Sequence, residues 1–355
     1  MPTAVHPQQA AASTSSGSPP TISVVIPCHA PSADLLGRAV AAWLAQRPSA
    51  EVILVDDGSP EALDSPAREV RVLRLEENRG AGAARNAGAR RSTADVFVFA
   101  DGDVEPLPSV LGAVRALLGD RRDADGLVGV PVMHPGDGDA LTTYKMVYLD
   151  RMWRLAGREV GSANGSLVAV RRGAFDAAGG FPESRGAGIE DIELGARLLA
   201  TGARLRICPE MGYVHHKSYR WGPTLVTTYR RALDFARRIL IRSRVNSMGR
   251  PAQLATNLRA FWRFFGFYFA SLAAFYVPLA VAVHAAIAGG AARWELLAAG
   301  GSLGLWVVTR APLGRDLLAA GGVRTLATGL AFQVCETVLC SVAMLHATLT
   351  PWSDR

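Results

Sequence analysis

Val96 to Asp103 reads VFVFADGD: five apolar, strand-forming residues run straight into two carboxylates. A continuous apolar run of that length suits a strand covered on both faces, as in a parallel sheet. Acids that close it cannot sit in the core, so they mark the strand's C-terminal mouth. The same grammar recurs upstream. Glu51 to Val55 (EVILV) stops at Asp56-Asp57-Gly58-Ser59, and Ile22 to Pro27 (ISVVIP) stops at a turn. Between them, Asp34 to Gln46 has helical spacing, with Leu35, Ala39, Ala42 and Trp43 on one side. Val70 to Leu75 reads as a third strand and Gly82 to Arg91 as a helix. Strands alternating with helices predict an α/β sheet, whose ligand sits beyond the strands' carboxyl ends.

Composition and charge divide the 355-residue chain further. Charged residues make up 19% against 49% hydrophobic, below the ~25% charge of soluble domains. Between Tyr229 and Arg263 lie nine arginines and one acid, a local charge of +8 that exceeds the +7 of the whole chain. A nucleic-acid protein would spread such charge over a groove-facing module. Here it directly precedes Phe264 to Ala292, which has 29 residues without Asp, Glu, Lys or Arg. About 20 apolar residues span a bilayer. Leu296 to Thr309 is a shorter uncharged run, and Thr325 to Ser353 carries only Glu336. The arginines alternate between the ends of these segments, which places the α/β domain on the cytoplasmic side. The expected organisation is a disordered tail over 1–20, without the features of a signal peptide, and a catalytic domain over 21–221. Basic interfacial amphipathic helices follow over 222–263, then a membrane region of two to three helices over 264–353. The four cysteines form no CxxC pair and read as reduced thiols.

Five motifs carry chemistry. A carboxylate in Asp56 to Ser59 could accept a hydrogen bond from a base N–H, although the same residues also suit a turn. Asn78 to Gly88 (NRGAGAARNAG) resembles a dinucleotide fingerprint but holds Arg85 where Gly or Ala is wanted, and it does not follow the first strand. Arg79, near a helix start, would suit a diphosphate. Asp101 and Asp103, two apart after a buried strand, can hold a hard divalent cation. In GIEDIELG, Glu190 and Asp191 open a helix, where carboxylates are common caps, yet either could act as general base. In VHHKSYRW a neutral imidazole could complete the metal shell. Register after Pro209 favours His215 over His216.

In this order the motifs resemble the inverting family 2 glycosyltransferases of the GT-A fold, over about Ile22 to Trp221. VVIP, VDDGS, the Asn/Arg/Gly segment, DGD, GGF and GIED all fall where that family carries them. The resemblance implies a Rossmann-like mixed sheet, and Pro27 and Asp57 at the nucleotide base. It implies Arg79 and Asp101 at the donor, and Asp103 as direct metal ligand with His215 beside it. Asp191 is then the catalytic base and Glu190 an acceptor contact. Lys217 to Trp221 is similar to the QxxRW element of processive synthases, with Lys217 in place of Gln. That element would put Arg220 at the donor and Trp221 at the acceptor, and the departure favours transfer of a single sugar.

The expected activity is transfer from a nucleotide-diphosphate sugar, UDP-linked by preference, to a hydroxyl of a lipid or lipid-linked acceptor. Mg²⁺ or Mn²⁺ would assist and the membrane would be a partner; nucleic acid would not. A polyprenyl-phosphate sugar synthase and a catalytically silent membrane scaffold are the alternatives.

Overall fold

β1 (Ile22–Cys28) lies between β2 (Glu51–Asp57) and β4 (Val96–Ala100), parallel to both, and β3 (Val70–Leu75) extends β2 in parallel. The computed structural model describes residues 19–119, 124–132, 139–155, 158–183, 188–237 and 271–350. Residues 1–18 of the expected tail, the basic run from Arg238, the start of the first apolar segment and 351–355 lie outside them. The four sequence-predicted strands form half of an eight-stranded sheet of order β3-β2-β1-β4-β7-β6-β8-β5. β7 (Leu167–Arg171) is antiparallel to β4 and to β6 (Gly126–Pro131). β8 (Leu205–His215) runs parallel to β6 and antiparallel to β5 (Val104–Pro106). The sheet is therefore mixed.

Alternate residues of the parallel strands face opposite layers, as the pleat requires. Val24 and Ile26 meet α1 (Ala33–Leu44) and α3 (Val110–Gly119). Val25, Phe97 and Phe99 meet α2 (Ala81–Arg91), α5 (Arg172–Ala177) and α6 (Glu190–Ala200). The buried stripe of α1 is Leu36, Ala39, Val40 and Trp43. The predicted stripe shared Ala39 and Trp43, but Leu35 and Ala42 lie at its edge because the i, i+3, i+4, i+7 set starts at Leu36.

α4 (Ala140–Leu155) and α7 (Trp221–Phe235) lead to the C-terminal helices, α8 (Ser271–Ala288) and α9 (Arg293–Leu349). α9 is broken at Gly321 and Gly322; the latter has φ +67°, a left-handed conformation that favours glycine. Across this break Arg310 bonds Gln333 at 3.2 Å, while Leu317 and Leu326 approach Gly329 and Gly314 respectively. Those pairings are antiparallel, so 293–320 and 323–349 form a helical hairpin. His284–Glu295 and Arg310–Ser271 contacts fold α8 back along its first arm in the same way. Three apolar arms result, turned at Gly289–Gly290 and at Gly321–Gly322. α8 and α9 are long and apolar enough to cross a bilayer.

Candidate active site

The acids gather because two strands end beside each other. β4 delivers Asp101, and the turn after it leads into β5, whose Val104 pairs with His215 of β8. The His216 amide then donates to the Asp103 carbonyl at 2.9 Å. One ligand atom from each of Asp101, Asp103 and His215 falls within 4.8 Å of the others. His215 Nε2 is buried and lies 3.2 Å from Asp103 Oδ1, without hydrogen-bond geometry to any described group. An orphaned imidazole nitrogen beside two carboxylates is a donor set that fits a divalent cation. His216 turns away, its Nε2 2.8 Å from Glu105. Burial opposes ionisation of Asp103, but His215 beside it outweighs this and holds its carboxyl below the usual range.

A second group joins the first through Arg85, the residue that spoiled the dinucleotide fingerprint. Its side chain is 3% exposed. The guanidinium reaches Asp101 Oδ1 at 2.7 Å, Glu190 Oε1 at 3.1 Å and the Gly165 carbonyl at 3.1 Å, and it lies 5.1 Å from the Phe181 ring centroid. Burial alone would favour losing its proton; Asp101 and Glu190 outweigh that and raise its pKa. The next residue, Asn86, holds both backbone groups of Phe181, each at 2.9 Å, which fixes the GGF segment below Arg85. Asp191 accepts from the Gly165 amide at 3.0 Å and from its neighbour Ile192 at 2.8 Å. Burial and then the adjacent Glu190 push its pKa up. A carboxylate with raised proton affinity beside a cation-binding group can accept a hydroxyl proton.

On the sheet's other side, Pro27 is half-buried at the end of β1, opposite Val55. Asp57 accepts from the Arg79 and Gly80 amides, one per oxygen and both at 2.8 Å. Its carboxylate thus anchors the loop before α2. Asp56 is engaged with Ser59, Leu63 and Arg74. The Arg79 side chain pairs with Glu183 at 2.8 Å. Cys28, at the same strand end, has its thiol pushed up to about 12 by burial and by Asp56, Asp101 and Asp103. All four cysteines are free, as expected.

Arg220 is exposed at the start of α7. The Trp221 ring packs on Phe332 of α9, with centroids 5.6 Å apart. Phe332 belongs in turn to a cluster of Leu141, Tyr144 and Val147 from α4 with Leu313 and Leu317. Tyr229 of α7 likewise contacts His346 of α9.

The structure therefore brings together Asp101, Asp103, His215, Glu190 and Asp191, sets Pro27, Asp57 and Arg79 around the neighbouring strand ends, and directs Trp221 to the C-terminal helices. Sequence reasoning missed Arg85, Asn86 and the Asn164–Gly165 turn. A signal for Arg85 was present. The helix AGAARNAGARR is made of small residues, which implies close packing, and a large cation inside such a face must find acids.

Two family models match the chain, "Glycosyl transferase family 2" over residues 23–179 and "Glycosyl transferase family group 2" over residues 108–345. The succinoglycan biosynthesis protein ExoU of Rhizobium meliloti (strain 1021) is 32% identical over 199 residues, 51% of this chain and 58% of that protein. The chain thus matches little more than half the length of that relative. The mannosyltransferase PcManGT of Pyrobaculum calidifontis, solved in complex with GDP-Man and Mn²⁺, shares the fold. Its TM-score is 0.58 at 18% identity, covering 92% of this chain and 87% of that one. The second family match spans more than half of the chain, and with the GT-A sheet and the acidic strand ends it leads to one conclusion: the chain belongs to the family 2 glycosyltransferases.

Proposed function

We propose that this enzyme transfers one sugar from a nucleotide-diphosphate sugar to a hydroxyl of a lipid or lipid-linked acceptor at a membrane surface, with inversion. The observation that carries the reading is Arg85, which ties Asp101 of the cation-binding group to Glu190 beside Asp191. Donor and acceptor sides are thereby one centre.

Asp101, Asp103 and His215 would hold Mg²⁺ or Mn²⁺; such an ion supplies positive charge for a departing diphosphate. Pro27 and Asp57 would border the nucleotide base. A carboxylate oxygen that accepts one amide retains lone-pair capacity, so Asp57 could also accept a uracil imide, which favours a UDP-sugar. Arg79 and Arg220 would serve the donor's charge. Asp191 takes the acceptor's hydroxyl proton as that oxygen forms its bond to the anomeric carbon. The bond from that carbon to the diphosphate oxygen breaks, and its electron pair leaves with the nucleoside diphosphate. Glu190, steadied by Arg85, would contact the acceptor, and Trp221 would border its path toward the C-terminal helices.

Membrane attachment is supported by where exposed apolar side chains lie. Ile287, Trp294, Leu297, Val308 and Val323 are each at least 70% exposed, and all belong to the C-terminal arms or their turns. Lipid contact removes that surface from water. We assign the catalytic domain to 21–221 and the membrane region to 264–353, joined by the basic stretch 222–263, with the catalytic domain cytoplasmic.

The test is incubation of membranes containing the full chain with a panel of UDP-, GDP- and TDP-sugars, with and without chelator. Nucleotide release and the mass of extracted lipids are the readouts. A lipid gaining one sugar mass, with chelator-sensitive nucleotide release, is expected. Release without any lipid product removes the acceptor assignment, and no release with any donor leaves the scaffold reading.

A further inference from the structure

Helix α7 links the active site to the C-terminal helices. The second arm of α9 holds it at three points: Trp221 against Phe332, Tyr229 to His346, and Arg237 Nη2 to Thr350 Oγ1 at 2.7 Å. These contacts advance in the same direction along both helices, so α7 lies parallel to the arm. From the helix so braced, Arg231 reaches back over the catalytic domain to Gly188. A Cβ on Gly188 would lie 3.0 Å from its Nη2 and 3.3 Å from its Nε. Gly188 has φ +82°, a left-handed conformation that costs other residues energy, and it precedes the helix start that carries Glu190 and Asp191.

We propose that Arg231 is a positioning residue of the acceptor side: its guanidinium covers the Gly188 turn, and through it the C-terminal helices hold Glu190 and Asp191 in place. The inference rests on the reading of Asp191 as base. It makes those helices part of the active site in addition to any anchoring role. The charges around Asp191 agree with the placement. Burial and Glu190 on α6 raise its proton affinity, while the Gly165 amide and Arg231 on α7 oppose them. Arg85 of α2 lies against Glu190 and the Gly165 carbonyl. Arg231 also acts electrostatically on Tyr219, at the entrance to α7.

Hydrogen–deuterium exchange of the full chain in detergent tests this directly. Relative to wild type, Arg231→Gln should speed exchange in the segment from Gly188 to Ile192 about fivefold or more, with β1 and β4 unchanged. Arg231→Lys should recover part of the protection. His346→Ala, which frees α7 without touching the catalytic domain, should move the same segment by a smaller factor. Unchanged exchange at 188–192 in Arg231→Gln overturns the proposal. So does acceleration spread over β1 and β4, because Arg231 would then serve the fold at large. Asp191→Asn is assayed in parallel by nucleotide release from UDP-glucose and from GDP-mannose with MnCl₂. Retained turnover there removes Asp191 as the base yet leaves the exchange result to be judged separately.

Discussion

The α/β domain and the C-terminal arms bury their apolar residues by opposite rules. Every residue of β4 is at most 1% exposed, and the helices above and below it hide their apolar stripes. Among the described residues, 17 of the 21 large hydrophobic side chains left exposed lie from Tyr276 onward, in the three arms. Both regions also bury polar groups, Arg85 among them in the α/β domain. In the arms Arg310 is buried and bonded to Gln333 and Ser271. A chain that shields apolar atoms in one half and displays them in the other is what the proposed membrane attachment requires. Under that proposal, the difference teaches from which side a lipid acceptor would come.

The sharpest way to break this contrast is a labelling experiment with an all-or-none outcome. In intact cells a membrane-impermeant thiol reagent should label Ala291→Cys, at the turn after α8, and should spare Val323→Cys, at the Gly321–Gly322 turn. The Gly321–Gly322 end packs against Thr143 of α4, so under the proposed topology that turn shares the catalytic domain's side of the membrane and the turn after α8 lies opposite. Equal labelling of the two turns would place both on one side and remove the crossing arms, leaving α9 as a hairpin docked along α4 and α7.

Next in size is the loss expected from Asp191→Asn. General-base assistance is worth about 10²- to 10⁴-fold, so turnover should fall by that factor while nucleotide and Mn²⁺ binding, followed by calorimetry, persists. The pH profile carries the sign. Asp191 must be ionised to accept a proton, and burial with Glu190 beside it raises its pKa. The acid limb of kcat/KM should therefore lie above the ordinary Asp value of ~3.9 and fall about tenfold per pH unit below its midpoint.

Arg85 sharpens the comparison from the catalytic side, because its burial is tolerable only with its acids in place. Arg85→Ala should destabilise the catalytic domain by about 1–3 kcal/mol, the cost of leaving the half-buried Asp101 and Glu190 and the Gly165 carbonyl without their donor. Denaturation followed by the fluorescence of Trp43, which is buried beneath the sheet, would report it, with other tryptophans substituted. Arg85→Lys should recover only part, since one ammonium cannot span Asp101, Glu190 and the Gly165 carbonyl as the fork does. A loss below about 1 kcal/mol for the Ala variant would mean that the network is not holding the two acid pairs together.

Much of this was legible in the sequence for a physical reason. VFVFA and EVILV state their burial by being wholly apolar, and their acids state where the burial ends. The motifs were thus readable as positions on strands before any contact was known. The rest depended on pairings between distant segments. Nothing local in GSANGS announces that the Gly165 amide will meet Asp191, and β5 is only three residues long, yet it sets His215 beside Asp103. The arginines of α7 read as a face for lipid headgroups, because periodicity gives a face but not what meets it. In the structure Arg231 meets the Gly188 turn.

The smallest expected effect concerns the seam between the two regions. Glu336, the single charge of Thr325 to Ser353, pairs with Lys145 of α4, 3.6 Å away. The ammonium also lies 4.8 Å from the centroid of the Phe332 ring. The two residues are therefore not equivalent to remove. In Glu336→Gln the ammonium keeps the ring face, so the cost of losing this largely buried pair should be the smaller one, about 0.5–1 kcal/mol. In Lys145→Met the carboxylate is left beside apolar neighbours, so the cost should approach ~1–2 kcal/mol. Thermal denaturation of both single variants and the double variant closes the cycle. If the double variant is as stable as Glu336→Gln alone, the stranded carboxylate is the whole penalty and the seam is held by Tyr144, Leu317 and Phe332. If the single variants instead cost the same, the ring makes no contribution, and the docking of α4 on the hairpin is electrostatic.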